Sequence, residues 1–421
     1  MKNFSIKFLA LSRSVDIDVN SEHEIDKIVA DLLMVFAKEI DYKIFTISID
    51  SLQQNTEDHR NKMNSVVQYY KDYEPKFQRI NSYLNDLKDN EYFFIIPNAT
   101  ISKEESFQFY SYLLAIERGE DFEKMTKEMN TILGNLMNSY EMFVFGENTR
   151  QNIGERDKSK RVCRYCNKSK PEVSFKKVAH SISEALGNKK IITNDECDTC
   201  NEKFGKGIEN DLILYLSLFR NFFGIKGKKG IPKLKGKNFE IVNNERIEIK
   251  QILSDEEINK TEYDDFKLRL ETYQSITDQN IYKTLAKYAI GVIDRAQIAN
   301  FEETLAWING TKEIDNLPKV AMLETYDFFS IHPKLMVYLR KNEDGKLPYA
   351  VAEFRFTFLT FVYIIPNSSK DTTDFTQDDN YKYFWDFFKH YSEVPNWIFR
   401  NLSNNTAKPF VINLNFEERK K

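Results

Sequence analysis

The chain has 421 residues, of which 41% are hydrophobic, 14% aromatic and 29% charged, with a formal net charge of -4. This composition excludes a disordered or fibrous protein, and the length suits two or three domains. The first residues hold a short apolar stretch cut by Lys7 and Arg13, and no small-residue cleavage site follows. The most apolar run, Phe356 to Pro366, is far shorter than the roughly 20 residues of a membrane span. We therefore predict a soluble, cytoplasmic protein without a signal peptide or a membrane segment.

Residues 1–150 alternate between patterns typical of strands and patterns typical of helices. No glycine-rich phosphate loop or nameable catalytic motif accompanies them. We predict an N-terminal α/β domain of unknown role, with strands at Ser5–Leu11, Tyr42–Ile49 and Tyr92–Ile96 and helices at Glu24–Glu39, Asp58–Asp86 and within Lys103–Glu141.

Two segments divide the chain by their composition. Residues 148–160 are polar and lack periodicity, and residues 224–236 are rich in Gly and Lys. We predict three domains, at 1–150, 155–237 and 238–421, the last with an α+β fold. Its expected elements are a β-hairpin at Phe239–Leu253, a mostly helical Asp264–Trp307, strands at Lys334–Leu339 and Tyr349–Ile365, a helix near Tyr381–Tyr391 and a strand near Pro409–Asn415.

Positive charge is concentrated in the middle of the chain. Residues 155–237 carry 20 Lys and Arg against 10 Asp and Glu, whereas the rest carries 40 against 54. A basic centre in an acidic protein is typical of a segment that binds a polyanion, although a solvated surface has the same composition.

All four cysteines lie in this basic centre, as two Cys-x-x-Cys pairs. The pairs are Cys163 with Cys166 and Cys197 with Cys200. Four thiolates spaced in this way form a tetrahedral zinc site, and a reducing cytoplasm disfavours disulfides. Strands are plausible at Phe175–His180 and Lys190–Thr193, and a helix from Asn201 onward. The order of knuckle, hairpin, knuckle and helix predicts a treble clef around a structural zinc ion.

The segment CRYCNKSKPEVSFKKVAHSISEALGNKKIITNDECDTCNEKFGKGIE resembles the HNH endonucleases, the ββα-metal nucleases, in the form that carries a four-cysteine zinc site. The resemblance implies that His180 activates a water and that Asn201 binds a catalytic divalent cation such as Mg2+. It also implies a middle Asn that orients the His, for which Asn194 and Asn188 compete. A neutral His suits the role of base because its ordinary pKa lies near working pH.

The sequence departs from the family at one position. Many members have Asp or His immediately before the base, as a second metal ligand, whereas this chain has Ala179. Nearby carboxylates could replace that ligand, namely Asp195, Asp198 and Glu209, of which Glu209 is the candidate we carry as a cation ligand beside Asn201.

Basic residues flank the nuclease-like segment on both sides, and we predict phosphate contacts from them without sequence specificity. The candidates are Arg161, Arg164, Lys226, Lys228, Lys229, Lys233 and Lys235.

The resulting fold class is α+β, with a central treble-clef HNH module between an N-terminal α/β domain and a C-terminal α+β domain. The leading hypothesis is a metal-dependent endonuclease that hydrolyses DNA and holds zinc as a structural metal. The resemblance to the HNH family also suggests a role in bacterial antiviral defence or restriction, which is a common role of its members. The rival hypothesis is a catalytically silent treble clef that binds nucleic acid or a protein. A third, weaker one makes the N-terminal domain the effector. A regulatory partner or a homo-oligomer is compatible with each of them.

Overall fold

A computed structural model of the chain has an α+β fold. The structure describes residues 2–21, 25–41, 43–44, 46–97, 101–146, 150–228, 230–244, 246–252 and 265–417. These residues form two compact units, Met1–Gly134 and Asn135–Lys421. None of the helices in the described ranges combines the length and the apolar character that crossing a bilayer requires.

The first unit is built on a four-stranded antiparallel sheet with the strand order β2-β1-β6-β5, beside a small β3-β4 hairpin. Its strands are β1 (Lys2–Ala10), β2 (Ser14–Ser21), β3 (Glu39–Asp41), β4 (Thr46–Ser48), β5 (Leu52–Gln54) and β6 (Tyr92–Pro97). Its helices are α1 (Ile25–Met34), α2 (Glu57–Tyr70), α3 (Phe77–Asp86), α4 (Lys103–Arg118) and α5 (Phe122–Met129), followed by a π-helical turn at Asn130–Gly134.

Local sequence signals explain the helices of this unit. In α1 the buried residues Ile25, Ile28 and Leu32 recur at the spacing of one helix face. Ser102 and Glu105 form a capping box that begins α4, and Gly119 ends it in the left-handed conformation. Residues predicted as a strand at Tyr42–Ile49 include Tyr42 and Phe45, which lie outside the described residues, as does Glu24 of the first predicted helix.

The second unit contains a six-stranded antiparallel sheet with the order β18-β14-β17-β16-β15-β7, and smaller sheets β10-β11-β12, β13-β19 and β8-β9. Its strands are β7 (Tyr140–Phe145), β8 (Gln151–Ile153), β9 (Ile191–Thr193), β10 (Leu234–Lys235), β11 (Phe239–Asn243), β12 (Ile247–Gln251), β13 (Asp265–Ile276), β14 (Val320–Glu324), β15 (Ser330–Arg340), β16 (Ala350–Thr357), β17 (Leu359–Ile364), β18 (Ile398–Arg400) and β19 (Lys408–Glu417). Its helices are α6 (Asn135–Ser139), α7 (Asp198–Lys206), α8 (Ile208–Tyr215), α9 (Ser217–Phe222), α10 (Asp278–Ile290), α11 (Glu302–Ile308), α12 (Asp378–Phe387) and α13 (Lys389–Ser392).

Helix α10 lies within the main hydrophobic core of the second unit. It is buried along almost its whole length, including the charged residues Lys283 and Lys287. One hydrophobic core joins α10 to the cysteine segment, through Tyr165 and Phe204, and to strands of the six-stranded sheet. The residues predicted as a central module therefore share their core with the C-terminal residues. The division at about 150 and 237 stays a prediction.

One long predicted helical region is mixed in the structure. Asp264–Trp307 was expected to be mostly helical, but Asp265–Ile276 is the strand β13, and helix α10 begins only at Asp278. Strand β13 pairs with β19 near the C-terminal end of the chain. Pairing with a distant strand can override a local helical preference. The local pattern does not show this pairing, because the partner strand is far away along the chain.

Candidate functional site

The four cysteines come together as one cluster. Their sulfur atoms lie within 4.8 Å of one another, and those of Cys166 and Cys197 are 3.8 Å apart. Zinc–sulfur bonds of about 2.3 Å place the ligands of a tetrahedral site about 3.8 Å apart, so the cluster has the dimensions of a zinc site. A hydrogen bond from the Cys200 side chain lowers the pKa of Cys163, whereas the same hydrogen bond raises the pKa of Cys200 and burial raises that of Cys197. Binding of a metal ion would deprotonate the remaining thiols. The cluster can therefore hold a zinc ion with protein ligands alone.

Between the two knuckles the chain forms a short hairpin that carries His180. His180 pairs with Ile192 across an antiparallel bridge. The amide of Thr193 donates to the carbonyl of Ala179 at 3.0 Å, and the amide of Ser181 donates to that of Ile191 at 3.1 Å. The first strand is shorter than the predicted Phe175–His180, because residues 175–179 make no regular strand. Strand β9 leads through Cys197 into helix α7, which gives the ββα order expected from the sequence.

His180 is partly buried, and its Nδ1 atom is fully buried without a hydrogen-bond partner among the described residues. Burial lowers the pKa of His180, and the positive charges of Lys287 and Arg150 act in the same direction, against Glu184 and Glu209. The ring is therefore held in its neutral form near neutral pH, as a general base requires. A fully buried ring nitrogen without a hydrogen-bond partner is uncommon in folded proteins and marks His180 as an unusual residue of the hairpin.

Arg150 lies close to this hairpin, although the sequence did not single it out. It is exposed and immediately precedes β8, which pairs with β9 in parallel, Gln151 lying opposite Ile191. Strand β8 thus extends the hairpin and brings Arg150 within electrostatic range of His180. The only signal in the sequence was a basic residue shortly before the first knuckle.

The two candidates for the middle Asn have different surroundings. The side-chain amide of Asn188 donates to the carbonyls of Ile182 and Ile191 at 2.8 and 3.1 Å. Its oxygen accepts from the amides of Lys190 and Ile191, both at 3.0 Å. Asn188 is buried and ties the two strands together across the hairpin loop. Asn194 is half-buried, and its backbone amide donates to Ile153. The contacts of Asn188 are those of a residue that positions the strand of His180.

The predicted cation ligands lie on two helices. Asn201 is half-buried in α7, whereas Glu209 is in the first turn of α8, because the chain breaks at Gly207. Glu209 is buried, and its carboxylate lies 2.9 Å from the Nζ atom of Lys287. This ion pair occupies the carboxylate that was expected to bind a catalytic cation.

The other two carboxylates are also engaged. Asp195 is buried against Arg164, with the Nη2 atom of Arg164 2.7 Å from Asp195. Asp198 accepts hydrogen bonds from Ser174 and from the amides of Lys176 and Lys177, and so holds the loop before the hairpin. Among the residues that the structure describes, the cysteine cluster is the one group of three or more His, Cys, Asp or Glu side chains with the geometry to hold a metal. Asp195, Asp198 and Glu209 are thus each engaged by other groups of the protein.

Lys287 is a buried residue of the site that no local motif indicated. Its Nζ atom lies 3.3 Å from Glu196 and 2.9 Å from Glu209, and the Lys287 side chain is 0% exposed. Burial alone would lower the pKa of Lys287, but the two carboxylates outweigh it and raise the pKa well above its usual value. Burial also raises the pKa of Glu196 to about 7. The hydroxyl of Tyr165 donates to the carbonyl of Lys287, so helix α10 is linked directly to the first knuckle.

The basic candidates separate into buried and exposed residues. Arg164 is buried and donates to the carbonyls of Ile290 and Ile293, at the end of α10. Arg161 is buried and donates to the carbonyls of Glu155 and Arg156. Neither position suits contact with a phosphate, because both guanidinium groups serve the chain's own backbone. The exposed candidates are Lys226, Lys228, Lys233 and Lys235, whereas Lys229 lies outside the described residues.

A protein-family model described as HNH endonuclease matches residues 163–216. The match begins at the first cysteine and covers the hairpin, α7 and α8. No curated protein and no solved structure matches the chain. The matched segment is that of a nuclease family whose members bind nucleic acid and usually need a divalent metal.

Proposed function

We propose that this protein is a metal-dependent endonuclease that hydrolyses phosphodiester bonds in DNA, with His180 as the general base. The observation that carries the proposal is the placement of His180 inside the matched segment. It lies on the first strand of the hairpin, and its partly exposed ring has a pKa lowered by burial. DNA, rather than nucleic acid in general, follows from the resemblance to the HNH family.

In the proposed reaction a water loses a proton to the neutral ring of His180 as its oxygen bonds to phosphorus. The bond from phosphorus to the leaving oxygen breaks, and that oxygen takes a proton from solvent. Asn188 keeps the strand of His180 in place through its hydrogen bonds across the loop. A divalent cation, when bound, neutralises charge on the phosphate and on the leaving oxygen. Asn201 would supply a side-chain oxygen to it.

Substrate contact is assigned to exposed basic residues only. Arg150 is exposed and acts electrostatically on His180, and Lys226 and Lys228 are exposed in the segment that follows the matched residues. These groups suit phosphate contacts without sequence readout. The zinc ion has no catalytic part in the proposal, since four cysteines complete its coordination.

A second candidate is a catalytically silent treble clef that binds nucleic acid or a protein. Two observations favour it. Ala179 stands where many HNH members have a metal ligand, and the nearby carboxylates of Asp195, Asp198 and Glu209 are engaged with other residues.

One assay separates the two candidates. Purified full-length protein is incubated with supercoiled plasmid, linear duplex and RNA in Mg2+ or Mn2+, beside the variant His180→Ala and a sample in chelator. The proposal expects metal-dependent nicking of DNA that is lost in the variant, while both proteins melt at the same temperature. Cutting that survives in His180→Ala removes the assigned base. Absence of cutting with each substrate and each ion favours the silent module.

A defence role in the cytoplasm extends the proposal. The four thiols suit a reducing compartment, where they bind a metal instead of forming disulfides. Cells that express the protein should then resist phage infection or plasmid entry, and cells that express His180→Ala should not. Equal resistance in both strains would remove the link between cutting and defence.

A further inference from the structure

A groove of about 380 Å³ lies beside the hairpin loop that Asn188 holds in place. Its walls are residues 187–190 of the loop, 223–226 after helix α9 and 331–333 at the start of β15, with Gly146. The segments approach closely, because a Cβ atom added to Gly187 would lie 2.9 Å from the side chain of Ile225. The groove therefore borders the hairpin that carries His180.

A line of aromatic rings continues from this groove across the surface. Phe223 lines the groove and contacts Phe329 and Phe358, with ring centroids 4.9 and 5.7 Å apart. Tyr326 stacks on Phe358 with centroids 5.0 Å apart. Tyr326 is 71% exposed, Phe328 52% and Phe329 41%. The guanidinium of Arg355 lies over the Phe328 ring, 4.3 Å from its centroid, so Tyr326 and Phe329 are the two open rings of this group. Exposed aromatic rings grouped in this way are typical of an interaction surface.

The groove is basic. Lys189 and Lys226 are exposed in its walls, and no Asp or Glu is among the described residues that line it. Burial lowers the pKa of His332, and so do the charges of Lys190 and Lys189 nearby. The lysines of the loop therefore act electrostatically on His332 in the opposite wall. A ligand of this groove is expected to carry negative charge.

We infer that this groove and its line of rings bind single-stranded nucleic acid, with bases stacked on Tyr326 and Phe329 and phosphates near Lys189 and Lys226. Exposed rings beside a basic groove provide the two interactions that a single strand offers, stacking of its bases and attraction of its backbone. A duplex buries its base faces and offers only the second of these. The choice of nucleic acid as the ligand rests on the proposed function. The new element is that the strand is unpaired where it meets the hairpin.

The test measures binding separately from cutting. Full-length His180→Ala protein is titrated with a labelled single-stranded oligonucleotide of about 20 nucleotides, and with the same sequence as a duplex. We expect tighter binding of the single strand. The double variant Tyr326→Leu, Phe329→Leu should weaken single-strand binding about tenfold or more and leave duplex binding nearly unchanged. Lys226→Ala should reduce the dependence of binding on salt.

Tyr273→Leu is the matched control, since Tyr273 is 69% exposed on β13 and does not line the groove. It should bind the single strand as the parent does. If the double variant unfolds, the same titration is made with Tyr326→Leu alone, because the exposed ring of Tyr326 contributes little to the core.

Equal affinity for the two substrates, or unchanged binding in the leucine variants, would overturn the inference. Wild-type protein that still cuts plasmid would then leave the proposed function intact. Conversely, ring-dependent binding by a protein that cuts nothing would support the groove and count against the nuclease. Binding of neither substrate, or of acidic peptide alone, would refute the assignment to nucleic acid.

Discussion

The Nζ atom of Lys287 lies 2.9 Å from a carboxylate oxygen of Glu209, and the two residues belong to helices α10 and α8. The same nitrogen is 3.3 Å from Glu196, which immediately precedes the second knuckle. It is also 3.5 Å from the carbonyls of His180 and Ser181. One buried cation thus connects a helix near the middle of the second unit with the second cysteine knuckle and with the strand of the proposed base.

Replacing Lys287 by methionine should destabilise the second unit strongly. The change leaves two buried carboxylates without their cation, and removing one partner of a buried ion pair costs about 3–5 kcal/mol. Denaturant unfolding of the full chain measures the effect. Lys283→Met is the matched control, because Lys283 lies one turn earlier on α10 and packs over Trp307 without an ion pair in the described part of the chain. Equal losses in the two variants would show that the carboxylates do not depend on Lys287.

Cleavage should persist to a lower pH than an ordinary histidine allows. The base acts in its neutral form, so activity is full above the pKa of His180 and falls as pH drops through it. Burial lowers that pKa below the usual value of about 6.5. The acid limb of the pH profile of kcat/KM is therefore expected below pH 6.5, with a slope of one proton. An acid limb at or above the ordinary histidine pKa would contradict the assignment.

Asn188→Ala should impair the protein far more than Asn194→Ala. The first change removes four hydrogen bonds that close the hairpin loop and leaves buried backbone groups unpaired, at an expected cost of about 2–4 kcal/mol. The second removes a half-buried side chain. Thermal unfolding and single-turnover cleavage compare the two variants. A larger loss of activity in Asn194→Ala would return the role of middle Asn to that residue.

Cys197→Ser should abolish zinc binding and unfold the segment around it. The structural site needs four soft ligands, and its binding free energy contributes directly to folding. Zinc content per chain and the melting curve are the two measurements, with Thr199→Ser as control because Thr199 is exposed within the same knuckle. Full zinc content and an unchanged melting curve in Cys197→Ser would refute the structural role.

The sequence alone determined the metal cluster, because both halves of the site are short motifs whose spacing is local. It also predicted the order of hairpin and helix, since His180, strand β9 and the second knuckle are close along the chain. The structure reduces the first strand to the bridge at His180, begins the helix at Asp198 and breaks it at Gly207. These features need little knowledge of distant contacts, and the cluster of sulfur atoms within 4.8 Å agrees with them.

Only the tertiary structure decided what each charged residue does. Arg164 has the charge and the donors of a phosphate ligand. It is buried instead, where it donates to the end of helix α10 and pairs with Asp195. Glu209 has the chemistry of a cation ligand, yet Lys287 neutralises it. The carbonyl of Ile290 lies 126 residues from Arg164 along the chain, and Lys287 reaches Glu209 from another helix. Burial and pairing set the state of a charge, and neither can be read from the residues beside it.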